Sequence, residues 1–299
     1  NSNGDYVWAK GIGSSTTDQS KNIVLDGLGN VYITGFFSGT MDFNPGAGTA
    51  NLTAVGGDDV FFAKYNSAGI YVWANSIGSS TNDNGNAITL DASNNVYITG
   101  YFQGIANFDP LGSANLTPVG SYDFYFAKYD AAGNYIWARN IGDILGDEAY
   151  DILVDGNNNI HLAGYYKATV DFDPGAGTAN LAAVGNTDVF FAKYYQCGLS
   201  LTPATTPVSC SGGNNGTASV TPAGGPAPYS YLWSNNATTS QISNLTAQMY
   251  TVTATDGNGC TATASITVAQ PAVLTSTITP TDVKCNGGMD GSATASATG

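Results

Sequence analysis

Hydrophobic and polar positions alternate in short runs. Across Asp59–Tyr65, Val60, Phe62 and Lys64 fall on one side of an extended chain, and Phe61, Ala63 and Tyr65 on the other. Runs of this kind predict strands over Asn22–Leu25, Val31–Phe37, Val60–Tyr65 and Tyr71–Ile77. An Asp-Gly-rich turn at 26–30 joins the first two, and a Ser-Ala-Gly turn at 67–69 joins the last two.

The pattern returns at a fixed period. Trp8, Trp73 and Trp137 stand 65 and 64 residues apart within YVWAKGIG, YVWANSIG and YIWARNIG. The same step carries VLDGLGNVYITG at 24–35 onto TLDASNNVYITG at 89–100 and LVDGNNNIHLAG at 153–164. It carries MDFNPGAGTANL at 41–52 onto ANFDPLGSANLT at 106–117 and VDFDPGAGTANL at 170–181. Last, DVFFAKY at 59–65 maps onto DFYFAKY at 123–129 and DVFFAKY at 188–194. Four blocks keeping one period predict an all-β chain of four-stranded, β-propeller-type blades, with the DFNP segment as a long arm between strands two and three. The first unit, 1–198, opens on a fourth strand, Tyr6–Ile12, and closes on a third, Val189–Tyr194. A ring uses that offset when its first strand completes its last blade. Three blades fall short of the usual 4–8, so the phase predicts further blades upstream, with association of copies or an open array as alternatives.

The composition turns to Thr, Pro, Ser and Ala at 199–207, the signature of a linker. Short alternating strands spaced by Gly, Pro and Asn then predict an Ig-like β-sandwich over 208–272. Its opening recurs at 273–299 as the start of a second, truncated copy, with Cys210 and Cys285 in register 75 residues apart.

Charge sharpens this picture. The chain of 299 residues holds 22 acids and 8 bases, for a net charge of −14. Residues 1–200 carry 19 of the acids and 7 of the bases, so the imbalance follows the repeats. With 38 Gly, and Asp rather than Glu among the acids, a helical protein is excluded. A nucleic-acid partner and a basic membrane-surface patch are excluded by the lack of positive charge. No apolar run approaches the roughly 20 residues a transmembrane helix needs, so no membrane insertion is expected. The opening Asn1-Ser2-Asn3-Gly4 shows no signal peptide, so in an exported protein the numbering would begin after its removal.

The 64–65-residue units, with W-A-(K/N/R)-x-I-G, D-x-x-x-N-(V/I)-(Y/H) and D-F-D-P-G, resemble the bacterial β-propeller repeat of secreted surface proteins. Val208–Pro271 resembles the SprB repeat, named after the mobile surface adhesin of gliding bacteria of the Bacteroidetes type. Its C-x-G-G-N-N-G-T-A opening, P-Y-x-Y-x-W-S centre and Y-T-V-T-x-T-D-x-N-G-C close carry the match. The resemblance implies an outer-surface or secreted location and export by the type IX system, whose sorting domain is not in this sequence. For an exported chain, a disulfide between Cys210 and Cys260 is expected, with two reduced thiols as the alternative. The partner of Cys285 would then fall beyond the chain, and a Cys197–Cys285 bridge is a further alternative.

The DFDP arms are the candidate ligand site. Asp42 and Asn44, Asn107 and Asp109, and Asp171 and Asp173 each sit two apart beside Gly-rich backbone, an arrangement of oxygens that suits calcium. Because Asp and Asn interchange between copies, Asx turns ahead of Pro45, Pro110 and Pro174 explain the same residues without a cation. His161 fills the slot of Tyr32 and Tyr97 and reads as a strand residue. Lys64, Lys128 and Lys193 are expected to snorkel or to meet a carboxylate on a neighbouring strand. Glu148, with Asp143, Asp147 and Asp151, forms the acidic cluster outside the repeat pattern and reads as a solvated loop, with calcium as the alternative. No catalytic residue is assigned, since a unique site would stand out from the period. The expected function is a non-enzymatic, adhesin-like surface protein that meets glycans or proteins and self-associates; the alternative is a glycan-binding accessory region of a secreted degradative enzyme.

Overall fold

The computed structural model describes residues 4–299. Every regular element is a β-strand, and the chain divides into two compact units at Gln196/Cys197. In the first unit, β1 (Asp18–Leu25), β2 (Val31–Asp42), β3 (Asn51–Tyr65) and β4 (Tyr71–Ile77) form one antiparallel sheet in chain order. The second repeat supplies β5 (Asp83–Leu90), β6 (Val96–Phe102), the short arm strands β7 (Ala106–Asn107) and β8 (Asn115–Leu116), then β9 (Asp123–Tyr129) and β10 (Tyr135–Ile141). Its sheet runs β5-β6-β9-β10, with β7-β8 set apart as a hairpin. The third supplies β11 (Glu148–Val154), β12 (Ile160–Tyr166), the arm strands β13 (Thr169–Asp171) and β14 (Asn180–Ala182), and β15 (Asp188–Tyr194). Here the sheet has three strands, β11-β12-β15.

Local chemistry explains the recurring turns. Asp26 Oδ1 accepts from the Leu28 and Asn30 amides, both at 2.9 Å, while Asn30 Nδ2 donates to Asp26 Oδ2 at 2.7 Å. Asp91/Asn95 and Asp155/Asn159 repeat that closure. The residue before each Asn is left-handed, and Gly29, Asn94 and Asn158 fill it because Gly and Asn tolerate positive φ. The Gly of the I-T-G motif has a different cause. Gly35, Gly100 and Gly164 face the bulged stretches of β1, β5 and β11, where a Cβ would collide with the Gln19, Asn84 and Glu148 carbonyls.

The sheets pack face to face. Tyr32, Val60, Phe62 and Ile77 of the first meet Ile88, Val96 and Ile98 of the second in one core. Tyr97, Phe124, Phe126 and Ile141 meet Ile152, Ile160 and Leu162 in the next. The Phe of each D-F motif anchors its arm: Phe43 and Phe108 are fully buried and Phe172 nearly so, each burial contributing on the order of 2 kcal/mol.

Tyr6–Ile12, expected as a strand, is not one. Strands require a paired neighbour, and this segment instead touches the first sheet through side chains, with Trp8 Nε1 donating to the Ser67 carbonyl at 3.3 Å.

The second unit holds β16 (Ser200–Thr206), β17 (Gly216–Ala223), β18 (Ser230–Trp233), β19 (Gln241–Leu245), β20 (Met249–Thr255) and β21 (Thr261–Thr267). They form two three-stranded sheets, β16-β17-β19 and β18-β20-β21. Trp233, Val220, Ile242, Tyr250, Val252 and Ile266 share one core. The stretch read as a linker, 199–207, is therefore largely an edge strand: Thr-rich backbone pairs from Ser200↔Ala223 to Thr206↔Thr217, and Pro203 is tolerated because its outer side has no ladder to feed. A hairpin of β22 (Thr275–Thr281) and β23 (Ser292–Thr298) follows.

The expected Cys210–Cys260 bridge is overturned. Cys260 bonds Cys197, with Cα atoms 5.3 Å apart, and Cys210 and Cys285 are exposed free thiols. Cys197 precedes β16 and Cys260 precedes β21, whereas Cys210 follows β16 and so lies a strand length, roughly 20 Å, from Cys197. Reading 199–207 as a linker removed the true partner from the unit.

Candidate functional site

The first unit concentrates its polar chemistry in three recurring structures, two of them built three times and one built at each of the two sheet junctions. One is a cluster of Asp, Tyr or His, and Lys at the β1–β2 type of turn. Tyr97 donates to Asp91 Oδ2 at 3.0 Å, Lys128 Nζ lies 3.7 Å from the same oxygen, and its ammonium sits 5.0 Å from the Tyr97 ring centre. Tyr32 likewise donates to Asp26 Oδ2 at 3.4 Å beneath the Lys64 ammonium, 4.8 Å from the ring centre. In the third copy His161 Nε2 is 3.2 Å and Lys193 Nζ 3.6 Å from Asp155 Oδ2. Register explains the meeting: Lys64 pairs with Tyr32, Lys128 with Tyr97 and Lys193 with His161. Burial pulls the Asp91 carboxyl upward, but hydrogen bonds from Asn95 and Tyr97 outweigh it and hold it below the usual carboxylate value. Burial lowers Lys128, against the pull of Asp91. Gln196 Oε1 closes the middle cluster, accepting from Lys128 Nζ at 3.0 Å and lying 2.9 Å from the Tyr97 hydroxyl, whose one proton goes to either Asp91 or Gln196.

The second structure is a pair of buried carboxylates at each sheet junction. Asp59, Asp83, Asp123 and Asp147 are fully buried. Desolvation raises Asp59 and Asp123 to about 6, and the neighbouring Asp83 and Asp147 charges add to it. Asp83 Oδ1 accepts from the Gln103 amide at 3.1 Å, and Asp147 Oδ1 from the Lys167 amide at 2.8 Å. Asp147 thus belongs to the repeat after all. It takes the Asp143 amide as Asp83 takes Ser79 and Asp18 takes Ser14, a register visible in GSSTTD, GSSTND and GDILGD. The rest of the supposed acidic cluster is dispersed: Glu148 Oε1 accepts from Asn86 Nδ2, Asp143 Oδ1 from the Leu145 amide, and Asp151 Oδ1 from the Ile152 amide.

The third is the DFDP arm. Asp42 Oδ1 accepts from the Asn44 amide at 2.9 Å and the Ala50 amide at 2.8 Å. Asn107 Oδ1 takes Asp109 and Ala114, and Asp171 Oδ1 takes Asp173 and Ala179. The second residue of each pair, Asn44, Asp109 or Asp173, accepts from the amide two positions on. These oxygens close the arm on itself. Among the described residues no group of three His, Cys, Asp or Glu is arranged to hold a metal ion.

Two repeat families and two curated proteins are similar to this chain in sequence. The SprB repeat family matches residues 202–238 and 277–299, and the Beta-propeller repeat family matches residues 7–35. The latter match spans the junction between the 6–12 segment and the β1–β2 hairpin. A WD repeat-containing protein of Acanthamoeba polyphaga mimivirus is 27% identical over 227 residues, covering 65% of this chain and 16% of its own. The regulatory protein FlaEY of Caulobacter vibrioides is 26% identical over 127 residues, covering 41% of this chain and 13% of its own. The chain thus spans less than a fifth of either relative. Among the described residues no helix is long and apolar enough to cross a membrane.

Proposed function

We propose, from a chain that joins beta-propeller repeats to SprB repeats, that it is a non-enzymatic interaction protein of the cell surface, adhesin-like in use. The sheets of the first unit are blades forming a head, and the SprB units are Ig-like modules of a stalk. Stacked modules give reach and multivalent contact. One observation carries the reading: the titratable side chains recur with the repeat and are spent on fastening backbone, as with Asp91, Asp147 and Asp171. A catalytic constellation breaks the period, because one substrate needs one arrangement. The Cys197–Cys260 bridge supports an oxidising, extracellular setting.

The test is antibody labelling of intact source cells, with Fab fragments against residues 4–196 added to an attachment assay. Labelling without lysis and reduced attachment are expected. Labelling that requires lysis, or a hydrolytic activity abolished by one Asp substitution, would overturn the proposal.

A further inference from the structure

The repeats are controls for one another: side chains shared by all copies build the fold, and side chains that break the period need another explanation. Tyr122 stands where the other copies have Asp58 and Thr187, and Gly146 where they have Thr17 and Asn82. Glu148 replaces Gln19 and Asn84, and Tyr150 replaces Lys21 and Asn86. The junction of the second and third repeats brings these departures together. Tyr122 lies over Gly146, where a Cβ would collide with its ring. Its hydroxyl is 2.7 Å from that of Tyr165, and its ring centre is 5.0 Å from that of Tyr101. Tyr150 continues the series, with its ring centre 5.6 Å from that of Tyr165. Tyr101, Tyr122, Tyr165 and Tyr150 are thus linked in one chain of rings.

A carboxylate and an amide sit among the rings. Glu148 Oε1 accepts from Asn86 Nδ2 at 2.9 Å. Burial, and behind it the Glu148 charge, raises the Tyr101, Tyr150 and Tyr165 hydroxyls above the ordinary phenol value, so one carboxylate serves three rings. The first junction has the same frame with other chemistry. There Asp58, in the place of Tyr122, accepts from Ser38 Oγ, and the Lys21 ammonium lies over Phe36 where Tyr150 lies against Tyr165. Nor do the four tyrosines belong to the cores that join the sheets. Tyr101, Tyr122 and Tyr165 are half-buried, and Tyr150 is 55% exposed.

We propose that this cluster binds a neutral glycan. A pyranose ring offers an apolar C–H face and a rim of hydroxyls. Tyrosine rings cover the face at little cost in side-chain entropy, while phenol hydroxyls, the Glu148 carboxylate and the Asn86 amide supply donors and acceptors for the rim. An anionic sugar would meet Glu148 on a chain of net charge −14. A quaternary ammonium needs a gap between rings, and centres 5.0 and 5.6 Å apart are already in contact. A glycan ligand rests on the surface role proposed above. It is tested on the purified chain rather than on cells, so a failure here leaves the labelling result standing.

The experiment is native electrophoresis of the whole chain through gels containing starch, β-glucan, mannan, galactomannan or xylan, with alginate as the anionic polymer. Retardation by at least one neutral polymer is expected, and none by alginate. Tyr150→Ala and Glu148→Gln are each expected to weaken that retardation about tenfold, as for a ring or charge at the centre of a contact, with the melting temperature unchanged. Tyr195→Ala truncates a tyrosine of like exposure, 57%, outside the cluster and should bind as the wild type does. Overturning results are mobility unaffected by every neutral polymer, retardation by alginate alone, retardation unchanged in Tyr150→Ala or Glu148→Gln, or a loss shared by Tyr195→Ala. Release by tetramethylammonium chloride but not by the polymer's own monosaccharide would assign the rings to a cation and likewise overturn the proposal.

Discussion

The Tyr129 hydroxyl donates to the Phe108 carbonyl at 2.8 Å, tying the last residue of β9 to the D-F anchor of its own arm. Tyr65 and Phe43 make the same bond at 2.9 Å. In the third repeat the buried Tyr194 hydroxyl has no hydrogen-bond partner. Three equivalent tyrosines thus differ in what their oxygen does, and the difference is measurable. Tyr129→Phe leaves a buried carbonyl unpaired and is expected to cost about 1 kcal/mol. Tyr194→Phe removes only an unpaired oxygen and is expected to be neutral or slightly stabilising. Urea unfolding of both variants checks the pair; equal losses would contradict the assignment.

Stability should depend on pH through Asp59 and Asp123. Burial raises each to about 6 in the fold, from an ordinary value of 3.8. Between about pH 4 and 6 the folded chain therefore binds more protons than the unfolded one, so stability falls as pH rises through that window. Each group contributes roughly 1–3 kcal/mol. Asp91 and Asp171 act in the opposite sense: their pKa values are lowered, and the stability they contribute is lost as pH falls below the ordinary carboxylate value. Melting temperature is expected to peak in the mildly acidic range. Asp123→Asn, which keeps an acceptor for the Val119 amide, should flatten the decline toward pH 7; an unchanged profile would refute the assignment.

Thiol counting tests the bridge. Two thiols per chain, Cys210 and Cys285, should react without reductant, and four after reduction and denaturation. Cys260→Ser opens a link across 63 residues and is expected to destabilise the second unit by roughly 2–5 kcal/mol. Cys210→Ser should have no such effect.

The arms are expected to hold without a cation. Chelator should leave the melting temperature unchanged, and Asp171→Asn should be tolerated because Asn107 already fills the equivalent position with the same two acceptor bonds. Asp171→Ala strands the Asp173 and Ala179 amides, at a cost of about 1–2 kcal/mol. A calcium-dependent rise in melting temperature, abolished by Asp173→Ala, would instead establish the third arm as a cation site.

The sequence by itself determined the period, the strands and the turns, because each is local. A D-x-x-x-N loop closes within five residues, and alternation in DVFFAKY assigns its faces without reference to the rest of the chain. It also exposed the phase offset, since YVWAKGIG opens the chain ahead of the first β1-type strand. The tertiary structure alone decided relations between distant residues. Cys197 rather than Cys210 meets Cys260 because two strands begin at the same end of the second unit. Asp147 proved part of the repeat when its carboxylate met the Lys167 amide 20 residues on. Phe62 and Phe191 occupy the same place in one motif, yet one is buried and the other open to solvent. Their neighbours in sequence are alike; only the presence of a following sheet separates them.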